Sequence, residues 1–214
     1  MLLGPAAMLL AFDVAPEAIP EHDDWHTHEH LPERLSIPGF LRGTRWVAVH
    51  GGPRYCVVYE VESLATLSSQ PYLERLNSPS AWTRKMMPHY RGMTRGFCAV
   101  AGSCGAGVGR IARVIRFRPG ANPAALQAWL VEEMLPRLAS KSGLAGAHVL
   151  QGAATPPMTN EQRIRGADAG VDWALLLVGY AEDGFDALEL RRRGADGLVD
   201  AVYRLDGSLA RGEA

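Results

Sequence analysis

The sequence is poor in cysteine and almost free of net charge. Its three cysteines, an odd number without C-x-x-C spacing, argue against a disulfide framework or a zinc site and favour a reducing, cytoplasmic compartment. A formal net charge of −1 offers no basic excess for nucleic acid or for an anionic membrane surface. These absences leave a small-molecule ligand, and self-association, as the partners to expect.

Long hydrophobic runs and cofactor motifs are also missing. The apolar N-terminal stretch MLLGPAAMLLAFDVAP lacks a basic start, is interrupted by Gly4 and Pro5, and is shorter than the roughly 18 apolar residues that span a bilayer. It therefore predicts a first strand. The segment GAGVG (105–109) precedes a strand rather than a helix, so it predicts no nucleotide-binding loop, and no bound organic cofactor is expected.

What the sequence does contain is an internal repeat. The motif W-x3-E-x-L-P-x6-G occurs twice, with its two copies 104 positions apart, beginning at Trp25 and at Trp129. A strand-like run ending beside a proline precedes each copy, LLAFDVAP and RVIRFRPG. Self-similarity at a fixed offset indicates duplication. We therefore predict two units, residues 1–104 and 105–214.

Hydrophobic periodicity predicts the same element order, βαββαβ, in both units. The predicted segments are strand 6–14, helix 20–36, strands 40–49 and 54–61, helix 64–90 with a break near Asn77, strand 93–101, strand 108–118, helix 123–141, strands 144–151 and 172–180, helix 184–200 and strand 201–206. This order is that of the ferredoxin-like unit. Because such a sheet leaves one apolar face uncovered, the predicted fold is α+β, with two tandem sheets packed face to face as a fused barrel. An insertion at 155–172 is expected to cover a barrel mouth.

The first predicted helix carries a row of histidines where its counterpart is apolar. Residues four apart lie along one side of a helix. In the second unit such a row consists of Leu126, Leu130, Met134 and Leu138; its equivalent in the first unit consists of His22, His26, His30 and Arg34. If both helices dock alike, the imidazoles are partly buried and suited to proton transfer near neutral pH.

Two other interpretations of this helix stay open. A rotated helix would bury Trp25 and His28 and leave the row in solvent as an ordinary polar face. Metal binding is the weaker alternative, because His26 and His30 have i, i+4 spacing but no HExxH motif and would need a third ligand. Pro32, which lacks an N–H, predicts a kink or local opening, and Pro136 repeats it.

Two residues on the following strands are further candidates. Arg45 is a single charge on an otherwise apolar strand face, so it is suited to holding a ligand carboxylate or enolate; an ion pair at the barrel rim is the alternative. Tyr59 could donate its hydroxyl to a bound oxygen or simply pack in the core.

The segment EHLPERLSIPGFLRGTRW (29–46), with DDW (23–25) before it, resembles the EthD-like branch of the dimeric α+β barrel proteins. The resemblance covers residues 6–100 and rests on Trp25, Glu29, His30, Pro32, Pro38, Gly39, Phe40, Arg45 and Trp46. It implies a cavity between helix and sheet and, in related branches, cofactor-free oxygenation, haem breakdown, isomerisation or dehydration. The second unit has Met134 and Val149 in place of His30 and Arg45, which predicts a single site, in the first unit.

The resulting hypothesis is a binder and transformer of a small carbonyl or aromatic metabolite. His30 and His26 would be its catalytic acid/base groups, and Trp25, Arg45 and Tyr59 would bind the substrate; no metal is expected. A non-catalytic binding or scaffold protein, and a haem- or metal-binding barrel, stay open as alternatives. The sequence does not decide whether the protein is an enzyme.

Overall fold

A computed structural model describes residues 1–154, 158–181 and 186–213 of the chain. Its strands are β1 (Ala6–Val14), β2 (Phe40–His50), β3 (Tyr55–Val61), β4 (Tyr90–Gly105), β5 (Ile111–Arg118), β6 (Leu144–Ala153), β7 (Trp173–Gly179) and β8 (Asp196–Ala210). They close into one barrel in the order β1-β3-β2-β8-β5-β7-β6-β4. Within the described ranges, no helix is long and apolar enough to cross a membrane.

Each unit contributes four neighbouring strands to the barrel, in the ferredoxin-like orders β4-β1-β3-β2 and β8-β5-β7-β6. The two sheets join at both edges: β2 pairs with β8, with Trp46 opposite Leu205, and β4 pairs with β6, with Val100 opposite Leu150. Every neighbouring pair is antiparallel. The prediction of an α+β fused barrel is confirmed, whereas the division between residues 104 and 105 stays a prediction.

The helices lie outside the barrel. They are α1 (Ile19–Trp25), a π-helical segment (His26–His30), α2 (Leu31–Ser36), α3 (Gln70–Asn77), α4 (Ala81–Met86), α5 (Pro123–Ala128), a second π-helical segment (Trp129–Met134), α6 (Leu135–Ala139), α7 (Asn160–Arg165) and α8 (Leu188–Arg192). The predicted break near Asn77 is present, because α3 ends there and the Ser80 hydroxyl caps the start of α4.

One predicted helix is wrong over most of its length. Of the helix expected at 184–200, α8 covers only Leu188–Arg192, and β8 already begins at Asp196. Gly194, with φ of 92°, ends the helical turn in the left-handed conformation that favours glycine. Residues 184 and 185 lie outside the described residues.

Strand alternation divides the core into three layers. Along β1, Ala7 and Leu9 face the barrel interior with Trp46 and Tyr203, whereas Met8 faces the helices of the first unit. A third cluster packs the helices of the second unit on its own sheet. The barrel interior is mostly apolar, although Glu60 and His148 are buried in it. The space between helix and sheet in the first unit also buries polar side chains.

The two π-helical segments explain the repeated proline. The Leu31 N–H bonds to the His26 carbonyl, and the Leu135 N–H bonds to the Leu130 carbonyl, each five residues back instead of four. In both helices a proline without an N–H follows immediately. The local opening predicted from Pro32 is therefore confirmed, and it occurs in both units.

The insertion of the second unit packs mainly against the first. Residues 155–157 lie outside the described residues. Ala169 extends the sheet beside β4, accepting a hydrogen bond from the Arg95 N–H at 2.8 Å, and Val171 reaches the barrel interior against Gly96. Helix α7 lies outside the barrel, against α3. Only the end of the insertion thus reaches the barrel, while α7 covers the helix layer instead of the predicted barrel mouth.

Candidate functional site

The histidine row faces the sheet. His22, His26, His30 and Arg34 have exposed fractions of 0%, 2%, 8% and 2%. His28, which the rotated docking would bury, is exposed. The helix of the first unit therefore docks as its apolar counterpart does, and the interpretation of the row as a solvated polar face is wrong.

The π-helical segment widens the buried face of this helix. In an α-helix, residues five apart point in different directions, whereas a turn closed by an i to i−5 bond brings them to one side. Trp25 and His30 are five apart, and their rings are in contact, with centroids 4.4 Å apart and planes tilted by 36°. The opening thus allows Trp25 to be buried together with the row, where its indole N–H donates to Glu29 at 3.1 Å.

Three buried polar atoms next to this helix have no hydrogen-bond partner in the described part of the chain. They are Nδ1 of His26, Nδ1 of His30 and the hydroxyl oxygen of Tyr59. The two imidazole rings lie 5.5 Å apart between centroids. Leaving a buried polar group unpaired costs about 1–3 kcal/mol. Such groups are rare in native proteins, so we treat this part of the helix and sheet layer as a candidate ligand site.

All three of these groups are uncharged at neutral pH. Burial, reinforced by the positive charges of Arg45 and Arg34, holds the pKa of His26 and of His30 well below the ordinary imidazole range. Burial likewise raises the pKa of Tyr59, so its hydroxyl keeps its proton. Each neutral imidazole offers one donor and one acceptor. The cluster therefore presents hydrogen-bonding groups without net charge.

Arg45 lies at the junction of β2, β8 and α1. Its Nε donates to Asp206 at 2.6 Å, and its other nitrogens reach the Thr27 hydroxyl at 3.1 Å and the Asp23 carbonyl at 3.3 Å. The guanidinium thus forms the ion pair that was the alternative for this residue and also holds the start of the helix. Asp206 balances its charge, which weakens its field at the histidines.

Arg34, the last member of the row, ties the insertion to the site. It donates to Glu161 of α7 at 2.7 Å and to Glu33 at 3.1 Å, and both Arg34 and Glu161 are buried. A second buried pair, Arg95 with Asp168 at 3.0 Å, holds the same insertion on β4. The second unit therefore closes one end of the row through Glu161, whose carboxylate is already paired with Arg34. Sequence reasoning missed Glu161, since only its partner belongs to the helical row.

His22, the first member of the row, is hydrogen-bonded at both ring nitrogens, to Asp23 at 3.1 Å and to the Tyr90 hydroxyl at 3.3 Å. Its ring lies 5.7 Å from that of His26. Sequence reasoning missed Tyr90, which lies 68 positions away and is brought to the helix only by the sheet.

Inside the barrel, His148 and Glu60 are also buried, but both have partners: the His148 ring is bonded to the Ser103 hydroxyl at 2.8 Å, and Glu60 accepts from Arg42 at 2.6 Å. No three His, Cys, Asp or Glu side chains in the described ranges are arranged to hold a metal ion. A groove of about 460 Å³ runs between α2 and α3, but none of its lining residues belongs to the histidine row. Those lining residues are Ser36, Ile37, Pro38, Pro71, Glu74, Arg75 and Ser78.

Comparison with known proteins shows similarity in structure. No protein-family model and no curated protein sequence matches this chain. An anthrone oxidase-like protein superposes over 97% of this chain and 94% of its own, with a TM-score of 0.69 and 12% identity. A proposed monooxygenase from Lactobacillus acidophilus superposes over 99% and 98%, with a TM-score of 0.62 and 10% identity. A chlorite dismutase from Candidatus Nitrospira defluvii does so over 94% and 90%, with a TM-score of 0.55 and 11% identity. At such identities the likeness shows a shared fold.

Proposed function

Because this chain has the dimeric α+β barrel fold, fused into one polypeptide, we propose that it is an enzyme acting on a small aromatic or carbonyl compound. The carrying observation is the cluster of unpartnered buried polar atoms on His26, His30 and Tyr59. Buried polar groups that lack partners cost stability, so their presence in one place favours a functional role. The cluster carries no net charge, which favours an uncharged ligand.

His30 is the proposed general base. Its neutral imidazole can take a proton from an acidic C–H or O–H of the ligand, and Trp25, whose ring contacts it with centroids 4.4 Å apart, restricts its orientation. His26 orients the ligand or takes part in a second transfer. The Tyr59 hydroxyl would donate to the oxygen on which negative charge develops, with a weaker, longer-range contribution from Arg45. Trp25 supplies a flat apolar wall for an aromatic ligand. No bound organic cofactor is required for such proton transfer.

The names of the structural neighbours suggest anthrone as a test substrate. One is an anthrone oxidase-like protein and another a proposed monooxygenase. Anthrone has an acidic CH2 group; loss of a proton from it gives an enolate that dioxygen can oxidise. The complete reaction converts anthrone and one dioxygen into anthraquinone and one water. A base such as His30 accelerates its first step.

The test is the consumption of anthrone in aerated buffer, followed by product chromatography and oxygen uptake. We expect His30→Gln to lower the rate by at least about 100-fold, the lower end of what a general base contributes. His28→Gln is the matched control, since His28 is exposed on the same helix. Circular dichroism checks that both variants fold. Equal turnover by His30→Gln and the unchanged protein would refute the role of His30.

A non-catalytic binding protein is the second candidate. The close ring contacts, 4.4 Å for Trp25 with His30 and 5.5 Å for His26 with His30, favour it, because a site filled by its own side chains has little room for a reaction. Saturable quenching of tryptophan fluorescence by anthrone, with no product formed, would support this candidate against the enzyme.

The buried cysteines favour a reducing compartment, and the closed barrel indicates how far the chain depends on self-association. Burial raises the pKa of the Cys56 and Cys98 thiols to about 12, so both stay protonated and unreactive. We place the protein in the cytoplasm, where free thiols persist. The two proposed units, 1–104 and 105–214, would supply each other's missing sheet, and the barrel is already closed within one chain, so further self-association is not needed to close it.

A further inference from the structure

At the start of the row, His22 is hydrogen-bonded to Asp23 and to Tyr90. The protonation state of each of these side chains can be assigned. Burial raises the pKa of Asp23, but hydrogen bonds from His22 and Tyr55 and the charge of Arg45 outweigh this and leave it below its ordinary value. Asp23 is thus a carboxylate, which only accepts hydrogen bonds. His22 must donate from Nδ1 to Asp23, at 3.1 Å.

The protonation state of Nε2, the other ring nitrogen of His22, follows from the charge of the ring. Burial, stronger than the opposing effect of Asp23, lowers the pKa of His22, so the ring is neutral and its Nε2 carries a lone pair. Nε2 therefore accepts from the Tyr90 hydroxyl at 3.3 Å. In the described part of the chain, the Tyr90 oxygen has no other hydrogen-bond partner, so its lone pairs are free to accept.

This arrangement has the connectivity of a hydroxyl, a histidine and an orienting carboxylate. Burial raises the pKa of Tyr90, so the phenol alone is a poor proton acceptor. Coupling to His22 changes this, because the tyrosine can pass on its own proton as it receives another. Asp23 then stabilises the imidazolium that forms.

We propose that Tyr90, His22 and Asp23 form a proton relay that takes a proton from a phenol or enol O–H of the ligand. The ligand O–H bond breaks and its proton goes to the Tyr90 oxygen, while the Tyr90 proton moves to Nε2 of His22. The ligand becomes a phenolate or enolate, and His22 becomes an imidazolium paired with Asp23. Return of the proton from Nε2 of His22 to Tyr90, and from Tyr90 to the product, restores the neutral imidazole, and Asp23, whose side chain is 35% exposed, stays a carboxylate throughout. Tyr90 is the catalytic residue; His22 and Asp23 are positioning residues.

The relay rests on the proposed function, in that the ligand must lie beside the histidine cluster. Two contacts place the relay there. The His22 ring is 5.7 Å from the His26 ring, and the Tyr90 and Trp25 rings are perpendicular with centroids 6.4 Å apart. A ligand that contacts His26 and Trp25 would therefore lie next to side chains that neighbour the relay: His26 is beside His22, and Trp25 is beside Tyr90.

The test uses 4-nitrophenol, whose phenolate absorbs visible light, as the bound probe. Its ionisation constant is measured by absorbance in the unchanged protein and in Tyr90→Phe and His22→Gln. We expect both variants to lower the ionisation constant of the bound probe by about tenfold or more, equivalent to one pKa unit. The matched control is Tyr72→Phe, because Tyr72 is a buried tyrosine of the same unit whose hydroxyl donates to the Met8 sulfur and to no member of the relay.

A merely structural role would change how tightly 4-nitrophenol binds without changing its ionisation once bound. Equal ionisation in all four proteins, or no binding of the probe, overturns the relay. Anthrone turnover separates the two proposals: His30-dependent turnover without relay-dependent ionisation overturns the relay alone. Relay-dependent ionisation without any turnover overturns the proposed reaction alone. Asp23→Asn, which keeps the size of the side chain, serves as a further relay variant if His22→Gln does not fold.

Discussion

Replacing His26 by Leu and His30 by Met should make the protein more resistant to acid. These substitutions copy the equivalent positions of the second unit, where Leu130 and Met134 are fully packed, with exposed fractions of 0% and 2%. They also remove two buried ring nitrogens that lack partners in the described part of the chain. Removing unsatisfied polar groups in favour of apolar ones is neutral or stabilising. At neutral pH the double variant should therefore be at least as stable as the unchanged protein.

The difference in the free energy of unfolding between the double variant and the unchanged protein should grow as the pH falls. Both histidines have a pKa lowered by burial, whereas unfolded imidazoles take up a proton below about pH 6.5. The unfolded state then binds more protons than the folded state, so the free energy of unfolding decreases with decreasing pH. If both folded imidazoles stay neutral, each costs about 2 kcal/mol between about pH 7.5 and about pH 5, or about 4 kcal/mol for the pair.

Urea unfolding at the two pH values measures this effect. The double variant should lose about 4 kcal/mol less stability on acidification than the unchanged protein. His28→Gln, exposed on the same helix, should behave as the unchanged protein does. If the unfolding free energies of the double variant and the unchanged protein fall in parallel, the two imidazoles are not held neutral by burial, and the basis for His30 as a neutral base is lost.

Two further substitutions test the packing around the site. Glu161→Gln leaves Arg34 buried without its closer carboxylate and should cost about 3 kcal/mol in urea unfolding; a change below about 0.5 kcal/mol would show that the insertion does not depend on this pair. Gly43→Ala places a Cβ against a methyl carbon of Leu31, closer than van der Waals contact allows, and should lower stability by about 1–3 kcal/mol in thermal unfolding. Gly170→Ala, which meets nothing within 4 Å, is its control and should leave the unfolding temperature unchanged.

The fold could be predicted because its signals are local and occur twice. The W-x3-E-x-L-P-x6-G motif fixes the helix in both units, and strand alternation fixes which face of each sheet meets it. The opening of the helix could be predicted from Pro32, because a missing N–H is a property of one residue. The error at 184–200 has a local cause as well: an apolar and charged pattern that continues past Gly194, where the chain turns into β8.

The site could be predicted only in part, because its partners are distant in sequence. The row of His22, His26 and His30 follows from helical spacing. Its partner Tyr90 is 68 positions away from His22, and Glu161 is 127 positions away from Arg34. Such pairs form only when the barrel has closed and the insertion has docked, and no periodicity marks them. Helical spacing also could not choose between two dockings, which differ only in the rotation of the helix on the sheet.

The apolar helix of the second unit separates the features that both helices share from those that only the first unit has. It has the same π-helical segment and proline, and it buries Trp129, Leu130 and Met134 as the first helix buries Trp25 and its row. The helix opening is therefore needed for docking, whether or not histidines are present. The chain thus holds an apolar solution to the same packing problem, yet the first unit buries imidazoles at a cost of about 1–3 kcal/mol for each unpaired nitrogen. Burial of unpaired polar atoms in one unit, where the other unit packs apolar side chains, is the pattern expected of a site that serves function at the expense of stability.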